Sequence, residues 1–139
     1  MNFYSHIFIR MKTIILEPTK IDIDKRLKNQ IKNLCEEECQ VIVHCNLYLE
    51  YSERIRIWKN TNLIAHGSGK KSNLIHAENI TFHPKWMWCG KGQHNFTLFF
   101  KALPKKCEVF DLFEDIPELG GFVKKNIRRN KNDVYYIDF

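Results

Sequence analysis

No stretch of this sequence approaches the roughly 18 consecutive apolar residues that a membrane-spanning helix needs. A secretory leader is not visible either, since after Lys12 the apolar run is only Ile14, Ile15 and Leu16 before Glu17 and Pro18. These absences make the cytoplasm the default location. Export is the alternative if the chain is a fragment or if its start lies elsewhere, for instance at Met11. Missing too is the dense, regular cysteine spacing of a disulfide scaffold: five cysteines stand at 35, 39, 45, 89 and 107, an odd number that fits reduced thiols. There is no internal repeat, linker or low-complexity tract, so residues 1–139 read as a single domain, long enough to bury a core without a covalent staple.

What is present points to a folded, strand-rich chain. Hydrophobic residues make up 44% and charged residues 27%, which excludes disorder, and the 10 Phe and 5 Tyr are types that strands favour. A net charge of +6 permits nucleic acid, anionic lipid or acidic protein as partner, but it bears on solubility and steering rather than on fold or reaction.

Hydrophobic periodicity gives the elements. "HIFIRMKTIILEP" (6–18) reads as a strand stopped by Pro18, and 24–37 as one possible short helix, because apolar residues recur at three to four from Leu27 onward. From Cys39 the period becomes two: Val41, Val43, Cys45, Leu47, Leu49 and Tyr51 share one side, opposite a mostly polar set. "RIRIW" (54–58) alternates again, with Ile55 and Ile57 opposite Arg54, Arg56 and Trp58. Pairing it with the preceding strand across Ser52 and Glu53 demands a three- or four-residue turn, or else a crossing between sheets. Residues 62–66 and 73–77 flank a Gly-Ser-Gly-Lys-Lys turn as a hairpin, and 81–94 is a loop. Strands follow near 95–102 and 108–114, then "GGFVKKNIRR" (120–129) and a closing "VYYIDF" (134–139). Seven to nine short strands predict an all-β, antiparallel sandwich or barrel.

The chemistry-bearing patterns dissolve under their own geometry. "HGSGKKS" (66–72) fails as a phosphate loop: the first glycine should stand where Ile64 is, and Lys71 occupies the position of the magnesium-binding hydroxyl. Cys35, Cys39, His44 and Cys45 cluster in sequence, but a strand over 39–45 separates its end cysteines by about 20 Å, too far for one zinc ion. His83, Cys89 and His94 lack close ligand spacing, and no Ser, Cys or Thr sits in a recognisable nucleophile signature. The chain therefore reads as a non-enzyme with neither metal nor cofactor.

Two surfaces remain. His44, Tyr48, Arg54, Arg56 and Trp58 fall on the outward side of the second and third strands, and aromatic and Arg residues are the types enriched at binding hot spots; the plainer reading has this face covered by the 20–37 segment or by the Trp86-Met87-Trp88 loop. Lys124, Lys125, Arg128, Arg129 and Lys131 form a basic run that suits nucleic acid, but no aromatic stacking platform is interleaved with it, and it follows the acidic run Asp111, Glu114, Asp115 and Glu118. Folding the two runs against each other is the simpler expectation.

In "FTLFF" Phe96, Leu98 and Phe100 share a face, and "VFDLFE" turns back apolar after "KALPKK". Together with "LYLEY…RIRIW" and "LIHAENI", this pattern resembles uncharacterised bacterial immunoglobulin-like β-sandwich domains over about residues 38–139. The resemblance implies a non-catalytic accessory module, and the expected function is interaction with a protein partner; nucleic-acid binding through 124–131 is the alternative.

Overall fold

The computed structural model describes Leu27 and residues 39–139. The strand expected at 6–18 and nearly all of the helix expected at 24–37 lie outside the described residues; Leu27 itself is helical and buried. Nine strands follow in chain order: β1 (Cys39–Leu49), β2 (Glu53–Ile55), β3 (Thr61–Ala65), β4 (Lys71–Glu78), β5 (Met87–Cys89), β6 (Gly92–Lys101), β7 (Val109–Glu114), β8 (Val123–Arg128) and β9 (Val134–Asp138). Seven of them form one sheet in the order β8-β7-β3-β4-β6-β1-β9, nearly closed into a barrel, while β2 and β5 form a separate ribbon.

The chain is mainly β, as its periodicity requires, but the sheet is mixed. Every neighbouring pair is antiparallel except β1 and β9, which run parallel, with Val43 opposite Tyr135 and Cys45 opposite Ile137. The purely antiparallel expectation fails there for a topological reason. The chain leaves β8 at one end of the sheet, crosses through 129–133 and enters β9 at the other end, where it lies beside β1 in the same direction.

The period-two pattern does place the core. Val41, Val43 and Cys45 of β1 meet Phe100, Leu98 and Phe96 of β6 in register, and Leu63 and Ala65 of β3 face Leu112 and Phe110 of β7. All of these belong to the inner cluster, since residues of one parity share a face. A second set is also buried on the opposite face: Ile42, aligned with both Phe99 and Val134, and His76 beside Phe99. Ile42, which the alternation puts on the mostly polar side, is thus a core residue of its own patch.

The hairpin expected around the Gly-Ser-Gly-Lys-Lys turn is β3–β4. Its turn needs left-handed backbone at Gly67 and Gly69 (φ 86° and 69°), which explains the two glycines without any phosphate. The apolar runs 95–102 and 108–114 both line the core as β6 and β7, but β3 and β4 stand between them in the sheet.

A candidate binding cleft

β2 pairs with β5, not with β1. Arg54 lies opposite Trp88, and Ile55 opposite Met87. Beyond β2 the chain continues extended to a parallel bridge between Ile57 and Phe82. Alternation holds throughout this segment: Ile55 and Ile57 are buried in the inner cluster, so Arg54, Arg56 and Trp58 are driven to the other side. The loop before β5 brings Trp86, and β5 itself brings Trp88, to the same side, and the result is an interleaved stack. His83 lies on Trp58 with ring centroids 3.6 Å apart. The Arg56 guanidinium sits 5.6 Å from Trp58 and 3.8 Å from Trp86, and that of Arg54 sits 4.8 Å from Trp86 and 6.0 Å from Trp88. Each cation over an indole face contributes about 0.5–2 kcal/mol, more where water is excluded.

Arg54, Arg56, Trp58 and Trp86 of this ladder form one wall of a cleft of about 350 Å³ whose other walls come from β1, β7 and the loop 115–122. Glu114 closes its base. That carboxylate is 4% exposed and accepts hydrogen bonds from the backbone N–H of Trp58 (2.8 Å) and of Phe122 (2.9 Å). Burial pushes its pKa up, and the nearby Glu118 adds to that, against the two backbone N–H groups and Arg56, which favour the charged form. Arg56 donates from Nη2 to Glu118 at 2.6 Å and from Nη1 to the Pro84 carbonyl at 3.3 Å, while its Nε and the indole Nε1 of Trp58 are buried without a hydrogen-bond partner.

The five residues expected on one outward face are split between two places. Arg54, Arg56 and Trp58 line the cleft. His44 is on the other face of β1, where its Nδ1 lies 2.9 Å from the Thr97 hydroxyl and its ring stacks on Tyr136 at 5.0 Å; Tyr48 is exposed opposite Gln93. The crossing between sheets that the sequence left open is what occurs, since β2 leaves the sheet of β1 for the ribbon with β5, and so matching parity along the chain does not put the two groups on one face. The Trp86-Met87-Trp88 segment does cover the arginines, as one of the two sequence readings has it, whereas Glu118 was missed as a partner of Arg56, because it comes from a segment 62 residues away in the chain.

The basic run is also divided. Arg129 is taken up internally: Nε and Nη2 each donate to Asp133 at 3.1 Å, and Nη1 donates to the carbonyls of Pro104 and Cys107. Lys124 reaches the Asp138 carbonyl at 3.1 Å. Lys125, Arg128 and Lys131 are exposed. The acidic and basic runs do meet at one point, where Asp111 accepts a 2.8 Å hydrogen bond from the Asn126 backbone N–H and feels the charge of Lys125.

His83, Cys89 and His94 do not converge. His83 stacks on Trp58, His94 Nε2 lies 2.8 Å from the Asn79 carbonyl, and Cys89 is buried. No group of three metal-ligating side chains exists among the described residues. Cys45, Cys89 and Cys107 are free thiols whose pKa values burial pushes up, and no helix among the described residues is long and apolar enough to cross a membrane. No protein-family model matches the chain, and no curated protein or solved structure matches it significantly.

Proposed function

We propose that this chain is a non-catalytic interaction module, an accessory domain of the immunoglobulin-like kind, that binds a protein partner at the arginine–tryptophan end of the molecule. The observation that carries this reading is the ladder itself. Trp88 is 72% exposed yet is held by Arg54 across the ribbon, and Trp86 is held between two guanidinium groups. Aromatic anchors fixed before contact lose little entropy on binding, and Trp and Arg are the residues that dominate hot spots. Leu119, fully exposed at the cleft rim, extends the apolar surface.

The test compares capture from a native extract, at low and high salt, by the wild type, by Arg54→Ala/Trp88→Ala and by Lys125→Ala/Arg128→Ala. All four side chains are exposed, so their truncation leaves the inner cluster untouched. A protein captured at both salts and lost only with the first double variant is the expected result. Capture of nucleic acid that falls steeply with salt and disappears only with the second would replace this reading with the nucleic-acid one.

A further inference from the structure

Arg56 and Arg129 make a natural comparison within one molecule. Arg129 binds Asp133 side-on, with Nε and Nη2 each donating to a different carboxylate oxygen at 3.1 Å. Arg56 presents the same edge to the cleft region, but only Nη2 is used, donating to a single oxygen of Glu118 at 2.6 Å, and Nε is buried without a partner. The Arg56 side chain is nine-tenths buried, whereas Glu118 is 44% exposed. A second unpartnered donor, the Trp58 indole N–H, belongs to the same wall. Buried donors left unpaired are costly, and a two-bond fork between guanidinium and carboxylate is among the strongest polar contacts available to a protein.

Glu118 reaches Arg56 from the free part of an anchored loop. At the near end, Asp115 N–H donates to the Asn60 carbonyl and Asn60 Nδ2 donates to the Asp115 carbonyl, both at 3.0 Å. At the far end, Glu114 N–H donates to the Phe122 carbonyl at 2.9 Å, and the absent side chain of Gly121 lets the loop lie against Glu114, where a Cβ would stand 2.9 Å from the Glu114 carbonyl oxygen. Between these anchors Pro117, Glu118 and Leu119 are all exposed. Glu118 can therefore leave Arg56 while both ends of the loop stay fixed.

Resting on the interaction reading above, we infer that the cleft is a carboxylate-recognition site in which Glu118 is a resident placeholder, displaced by a carboxylate of the partner that completes the fork on Arg56 Nε and Nη2. Exchange of one carboxylate for another leaves the local charge unchanged, so Glu114 at the base meets no added repulsion. The apolar lining from Leu47, Ile55, Ile116 and Phe122 fits an aliphatic or aromatic side chain next to that carboxylate. The ligand class is thus a peptide segment carrying a carboxylate beside an apolar residue, of which a chain terminus ending in Leu or Phe is the simplest form.

The experiment titrates the nitrogen-15-labelled full chain with N-acetyl-leucine and, separately, with N-acetyl-leucinamide, following the Trp58 indole and Arg56 Nε–H resonances. A tethered competitor acts at an effective concentration of about millimolar. Glu118→Ala and Glu118→Gln should therefore bind the acid about tenfold more tightly than the wild type, with both resonances moving, and none of the three proteins should respond to the amide. No movement of either resonance in the two Glu118 variants, or an equal response to acid and amide, overturns the inference. Loss of capture on Arg54→Ala/Trp88→Ala with a silent titration would sink the carboxylate site alone. A specific titration without any captured protein would sink the partner reading and leave the site.

Discussion

Glu114 and Asp111, three residues apart on β7, are carboxylates shifted in opposite directions. At Glu114 burial dominates and raises the pKa. At Asp111 burial pushes the same way, but hydrogen bonds from the Asn126 backbone N–H and the His66 ring, each 2.8 Å from Oδ1, outweigh it and hold the carboxyl below its ordinary value. A depressed carboxylate stabilises the fold above the unfolded pKa of about 3.9, and that contribution is lost as the pH falls through the lower folded value. Asp111→Asn should therefore lower stability at pH 7 by about 1 kcal/mol and lose less than the wild type on going from pH 7 to pH 2.5, measured by urea unfolding. An unchanged acid limb would remove Asp111 from the account. Glu114 works in reverse: the stability tied to its proton is full below the unfolded carboxylate value and is lost as the pH rises through the raised folded one. Its two oxygens nevertheless each accept a backbone N–H, a geometry that only a carboxyl group with both oxygens free to accept can satisfy completely. Glu114→Gln turns an amide NH2 toward one of those donors, so despite removing a buried charge it should cost about 1–3 kcal/mol in denaturant unfolding.

The β2–β5 ribbon is only three residues long on each strand, too short to be stable alone, and its side chains make up for the missing backbone bonds. Trp86 sits between Arg54 and Arg56, so Trp86→Ala removes two cation–π contacts together. It should destabilise by about 1–3 kcal/mol and raise amide exchange in residues 53–58 more than in β1 or β6. Uniform exchange changes along the chain would mean that the ladder is an ornament of the surface. Part of this region was legible in the sequence: the alternation in "RIRIW" put the isoleucines inward and the arginines and Trp58 outward, whereas the loop expected over 81–94 in fact holds β5 and the first three residues of β6, because a three-residue strand between Pro84 and Gly90 shows no period of its own. The partner of β2 was not legible. A strand of three residues has no pattern of its own to choose between β1, adjacent in sequence, and β5, more than thirty residues on. In the structure Leu49 and Ile55 both reach the inner cluster although β2 is paired with β5 alone, so burial of the two does not require their strands to be neighbours. Short-range periodicity assigns faces well, but it does not specify which distant segment shares a face, and the Arg56–Glu118 contact across 62 residues is of that second kind.

Closure of the barrel was equally invisible in the strand pattern, because "VYYIDF" reads the same whether it runs parallel or antiparallel to β1. Among the described residues only one side of β8 is hydrogen-bonded to a strand, β7, and only one side of β9, to β1, and side chains join the two ends of the sheet. Phe122 packs on Phe139 at 4.9 Å, Phe96 lies near both, Tyr135 meets Phe110 edge-on at 5.0 Å, and Lys124 caps the Asp138 carbonyl. Such a seam is held by burial rather than by a backbone ladder, which predicts that the sheet opens there first. In native-state hydrogen exchange, the amides of β8 should therefore exchange well before those of β1 and β6, whose central residues are fully buried and bonded on both sides. Phe139→Ala takes away the ring that bridges Phe96 and Phe122 and should cost about 2–4 kcal/mol, short of a fully buried Phe because this one is half-buried. Its exchange signature separates two mechanisms. If the seam opens as a unit, β8 and β9 lose protection together while β3, β4 and β6 keep theirs; if the sheet is one cooperative body, every strand loses protection by the same factor. The first outcome would also place the loop 115–122, and with it Glu118, on the mobile side of the molecule, where a placeholder that must give way to a partner belongs.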